Sequence, residues 1–117
     1  MRTVSLAGAV ALAAMLCACS ASETDVRDTR EPDAVGTVVS VEAGAGSFDV
    51  EFAPDAGYEY FDGTTFAFAD GGALESATGE ALTASDLAVG DHLEVWVESC
   101  AESFPVQCPD PVGRLVP

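Results

Sequence analysis

His92 is the one histidine of the chain, and it stands beside Asp91 at the start of an alternating segment. A nucleophilic enzyme needs a nucleophile, a base and a group that orients the base. On a strand whose apolar positions are Leu93, Val95 and Val97, His92 falls on the outward face, and no Gly-x-Ser-x-Gly turn accompanies it. The reading is therefore non-enzymatic, with no catalytic residue and no cofactor assigned. Carboxylates abound, with 20 Asp and Glu, so any single pair says little about glycosidase-type chemistry. A hard cation such as calcium takes several carboxylate oxygens. Asp49 shares a strand face with Glu51, and Glu94 with Glu98; if those two strands pair, four acids crowd together. No Asp-x-Asp-x-Asp-Gly loop is present, so a solvated acidic face is expected and no metal ligand is assigned.

Trp96 lies on the polar face of its predicted strand, where an exposed indole often marks a binding hot spot. The favoured alternative is that the following segment folds back, with Phe104 and Pro105 stacking on the ring. Together these residues define the candidate binding surface: Trp96, Glu102, Ser103, Phe104, Pro105 and Gln107.

Net charge narrows what such a surface could take. The chain has 117 residues, four Arg, no Lys and a formal charge of −16. A phosphate-binding face needs clustered cations, so nucleic acid is excluded, as is polybasic docking on anionic lipid. A hydrophobic content of 49% is too high for a disordered acidic chain. A cationic peptide, a saccharide or an envelope protein remain as partners. The charge also favours a soluble monomer.

Residues 1–18 read as an export signal. Arg2 precedes an uncharged Ala/Leu/Val/Met stretch from Val4 to Leu16. It is shorter than the roughly 20 apolar residues of a membrane span, and fits the apolar region of a secretory signal. Leu16-Cys17-Ala18-Cys19 resembles the bacterial lipobox. The resemblance implies cleavage after Ala18 and diacylation of Cys19, with membrane attachment through that lipid. Lipidation at Cys17 is disfavoured because it would place bulky Leu16 at the cleaved bond; an ordinary signal cut nearby is the other alternative. Several acyl chains anchor stably where one does not. Ser20, rather than Asp, follows the lipid position, which favours the outer membrane in a Gram-negative host and otherwise the outer face of the cell membrane. Cleavage would remove one Arg and no acid, making the mature chain one charge more negative than −16.

Cys100 and Cys108 remain. An even pair in an exported chain reads as a disulfide, contributing about 2–3 kcal/mol for so short a loop. Free thiols are the alternative. A metal site would need about four ligands, and only His92 is left to help.

The elements that position these residues are predicted to be strands. Residues 19–34 form the lipidated Cys and a flexible acidic linker, polar and mixed in charge with Pro32. Residues 35–117 form the domain. Segment 35–42 is β-branched, 44–46 is a Gly turn, and 47–52 alternates Phe48, Val50 and Phe52 against Asp49 and Glu51. Segment 58–61 is a short strand candidate, and 64–69 places Phe66 and Phe68 inward. Ser85 could cap one helical turn at 86–88. Strands at 92–98 and 112–116 complete the set, the last bounded by Pro111 and Pro117. The predicted core is Val39, Val41, Phe48, Val50, Phe52, Phe66, Phe68, Leu87, Leu93, Val95, Val97 and Leu115. Two early hairpin strands, a long connection and two late strands predict an all-β fold, a small five- to six-stranded OB-like barrel.

Residues 86–96, DLAVGDHLEVW, lead into ESFPVQ at 102–107. Together they resemble the signature of the YobA-like family of small bacterial lipoproteins. That resemblance covers about 30 residues closely and implies an OB-like barrel of unknown function; it transfers fold and location, not chemistry. Phe104 stands where that family usually has Tyr, and Cys100 and Cys108 clamp the ESFPVQ segment. The resulting expectation is a lipid-anchored envelope protein acting as a non-catalytic binding or interaction module. The alternative is a cation-binding or envelope-stress protein that uses the acidic surface; a hydrolase is the least favoured.

Overall fold

The structure is a computed structural model and describes residues 25–117. The signal segment, Cys19 and the start of the linker lie outside the described residues. The ordered elements are α1 (Val26–Thr29), β1 (Ala34–Ala43), β2 (Ser47–Pro54), β3 (Thr65–Ala69), β4 (Leu74–Glu75), β5 (His92–Trp96) and β6 (Val112–Val116). Among the described residues no helix is long and apolar enough to cross a membrane.

The strands form one mixed sheet in the order β3-β2-β1-β5-β6-β4, antiparallel except for the parallel β4–β6 pair. The all-β expectation holds, but the ladder does not close into a barrel. β3 and β4 stand at the two ends of the sheet without pairing, joined only by residues 70–73. The sheet nevertheless curls on itself. A Cβ added at Gly113 of β6 would lie 3.1 Å from the Phe68 ring of β3 and 2.9 Å from Leu74 of β4. Strand twist brings the ends together, and Gly113 is the residue whose missing side chain lets them touch.

The core follows from alternation. Phe48, Val50 and Phe52 of β2 and Phe66 and Phe68 of β3 are buried, whereas Asp49 and Glu51 are exposed. Phe52 meets Phe66 edge to face at 5.2 Å, a favourable quadrupole arrangement. On β1 the prediction fails by one residue. Val38 is buried and Val39 exposed, because a bulge between Val38 and Ser40 leaves Val39 without a partner on β2 and resets the parity. Val41 then points inward as a partly buried residue, as do Leu87, Val97 and Leu115. Composition did not mark Ala34, Phe61, Leu74 or Val106 as core, though all are buried.

Two local assignments also change. Segment 58–61 is not a strand. The turn at Pro54-Asp55-Ala56-Gly57, with Gly57 at φ +98, runs into a 3-10 turn over Glu59–Phe61 that drives Phe61 into the core. The short turn after β4 spans Ala84–Asp86 and is capped by Thr83, not Ser85: the Thr83 hydroxyl and the Asp86 carboxylate form a reciprocal capping box.

Residues 25–33, assigned to the linker, are docked on the sheet instead. Asp33 N–H donates to the Val95 carbonyl at 2.9 Å, and the Asp33 carboxylate accepts from Val97 N–H at 2.8 Å, ending β5 there. Asp25 caps α1 through the Arg27 N–H. The mixed charges that read as a solvated tether are ion pairs.

Candidate functional site

The cations organise one end of the molecule. Arg27 is 7% exposed along its side chain. Its Nη1 donates to the carbonyls of Gly72, Ala73 and Gly113 at 3.2, 3.0 and 2.8 Å. Those carbonyls sit where the chain enters β4 beside β6; Ala73 O also accepts from Gly113 N–H, and a guanidinium with five donors fills the remaining acceptor positions. Asp25 and Glu75 neutralise it at 2.8 and 3.2 Å. Glu75 also binds Arg114 at 2.9 Å, and Arg114 reaches Asp28 at 3.1 Å. Hydrogen bonds from Arg27, first from its guanidinium and then from its N–H, lower the Asp25 carboxyl from 3.8 to about 2. The hydrogen bond to Glu75 raises Arg114 above its ordinary value.

Trp96 belongs to this end. It is 2% exposed, its indole N–H donates to the Arg30 carbonyl at 2.8 Å, and the Arg114 guanidinium lies 5.9 Å from its ring centre. The expectation of an outward Trp96 covered by Phe104 and Pro105 is corrected: the docked segment 25–33 covers it. Period-two alternation places Trp96 on the outer face, but it cannot say that another segment lies on that face.

The remaining candidate residues stay together on the loop closed by the Cys100–Cys108 disulfide. Ala101 N–H donates to the Gln107 carbonyl at 2.7 Å, and the Ser103 hydroxyl to the Pro105 carbonyl at 2.9 Å. Two contacts pin the loop to the domain. Val106 is buried, and its carbonyl accepts from the Thr64 hydroxyl at 3.2 Å. Glu102 accepts from the Tyr60 hydroxyl at 3.2 Å. Partial desolvation, then the Glu102 charge, raise the Tyr60 phenol above its ordinary value. Glu102, Ser103, Pro105 and Gln107 are exposed, and Phe104 is 91% exposed at the tip.

Between this loop and β3 lies an open groove of about 780 Å³. Gly63, Thr65 and Ala67 form one side, and Ala101 and residues 105–109 the other. The β3 contribution was missed because Thr65 and Ala67 are small and carry no charge. Only sheet order reveals that β3 is an edge strand.

His92 is half-exposed and lies 2.8 Å from the Asp55 carboxylate. The crowding of four acids also fails, because β1 separates β2 from β5. Among the described residues no group of three or more His, Cys, Asp or Glu is placed to hold a metal ion. Compared with known proteins, the chain matches no family model, no curated protein and no solved structure.

Proposed function

We propose that this chain is a lipid-anchored cell-envelope protein whose β domain is a non-catalytic binding module, and that it engages its partner through the Cys100–Cys108 loop. One observation carries the reading: Phe104, 91% exposed, at the tip of a loop pinned by a disulfide and by Val106. A large apolar ring held out in water is unfavourable for the isolated domain. Clamping the loop removes much of the ordering cost that a flexible loop would incur on binding. The lipobox-like residues ending at Cys19 supply the anchor, and the resemblance to small bacterial lipoproteins supports the location.

The test is photocrosslinking in intact envelopes. A photoreactive residue at position 104 should yield a discrete adduct; one at Val89, 74% exposed on another turn, should not. Equal labelling from both positions would end the reading. Mass spectrometry of the mature N-terminus should find acylated Cys19; an unmodified start elsewhere would remove the anchor.

A further inference from the structure

We infer that the free edge of β3 accepts an extended, basic peptide segment as an added strand. The inference rests on the binding-module reading and names the partner's chemistry and mode. β3 ends the sheet order, so one of its sides has no neighbouring strand. The pairs Phe66–Val50 and Phe68–Phe48 continue the line on which Thr64 O accepts from Phe52 N–H and Asp70 N–H donates to Gly46 O. The even-numbered residues therefore bond to β2, and the N–H and C=O groups of Thr65, Ala67 and Ala69 point to the free side. Among the described residues no hydrogen bond reaches them. The groove beside the disulfide loop opens along this edge at Thr65 and Ala67.

Proteins usually blunt such an edge with Lys, Pro, a bulge or a covering element. β3, with sequence TFAFA, has none of the first three, and its outward residues are exposed. Its flank is acidic. Asp49 lies opposite Ala67 and Glu51 opposite Thr65 on the shared outer face, and Glu42 lies opposite Asp49 one strand further in. Strand spacing puts an added strand about 10 Å from β2, so an Arg or Lys of the peptide can lie across Ala67 toward Asp49. All three arginines among the described residues are engaged elsewhere: Arg27 with Gly113 of β6, Arg30 with Val97 just past β5, and Arg114 with Glu75 of β4. A second copy of the chain is a poor occupant, because β3, TFAFA, brings no basic residue to answer the Asp49 and Glu51 row of the copy it would join.

The probe is an octapeptide of alternating Arg and Thr, titrated into the full-length chain and read by amide hydrogen exchange. Thr65, Ala67 and Ala69 should gain about tenfold or more protection, as amides do on entering a ladder. The same peptide N-methylated at alternate residues keeps its charge but cannot pair, and should bind at least about tenfold more weakly, having lost several hydrogen bonds. The Glu-Thr octapeptide should not bind. Ala67→Pro removes an outward donor without touching the β2 ladder and should abolish protection; Asp49→Asn with Glu51→Gln, on the exposed face, should weaken binding while leaving Tm unchanged. Equal binding of the pairing and N-methylated peptides, or unprotected β3 amides at saturation, would overturn strand addition. If position 104 still crosslinks a partner in envelopes, that failure leaves the binding-module reading standing.

Discussion

The molecule has two aromatic landmarks, and they lie in opposite circumstances. Trp96 sits under the docked N-terminal segment, its indole bonded to Arg30 and its ring beside Arg114. Phe104 stands in solvent on a clamped loop. The difference is one of available partners. Where the arginines are, carbonyls, carboxylates and an indole are satisfied internally and the surface closes. Around the disulfide loop and β3 the described charges are acidic, and the edge stays open. In a chain this acidic, the placement of a few cations decides which face is structure and which face is left for contact.

Breaking the arginine end should have the largest effect. Arg27→Ala removes one of the two arginines on Glu75 and the guanidinium donor to three carbonyls, and should destabilise the domain by about 3 kcal/mol in urea unfolding. Phe104→Ala should change stability by less than about 0.5 kcal/mol, as for a surface side chain with no anchoring role. Equal losses would erase the contrast between the two regions.

Reducing Cys100–Cys108 should remove about 2–3 kcal/mol, by restoring loop freedom to the unfolded chain. The comparison is sharpened by fluorescence. Trp96 is the sole Trp and bonds to Arg30 of the docked segment rather than to the loop, so its blue-shifted native emission should survive reduction below the unfolding transition.

Trp96→Phe deletes the hydrogen bond to the Arg30 carbonyl and should cost about 1 kcal/mol. In the parent, emission should move red on unfolding; a red-shifted native spectrum would contradict a covered indole.

The smallest effect is on acid stability. Asp25 titrates near 3.8 unfolded and about 2 folded. A lowered folded value means that its contribution is present above pH 3.8 and is lost as pH falls through about 2. Arg27→Ala should return the Asp25 carboxyl toward its ordinary value in an NMR titration.

Much of the fold was legible from local pattern. The SFDVEF alternation, the Gly turn before it and the strands over Leu93 and Leu115 stand where predicted, because each depends on residues a few positions apart. The bulge at Val39 was not legible: it is a two-strand event, and β-branched residues at 38, 39 and 41 fit either parity. Of the candidate surface, the loop residues were marked by the ESFPVQ resemblance, with the flanking cysteines predicting the clamp. Trp96 was misplaced because its cover comes from a distant part of the chain, and Thr65 and Ala67 were missed because nothing in their side chains marks an edge.

By itself the sequence determined the all-β class, the pairing of Cys100 with Cys108 and the acidic outer face of β2. These follow from periodicity, cysteine arithmetic and charge, which need no knowledge of neighbours. Tertiary structure alone decided that residues 25–33 dock, that Arg27 closes one sheet end and that β3 is left open at the other. An edge is the absence of a neighbour and a dock is the presence of a distant one, and both exist only once the chain has been brought together in space.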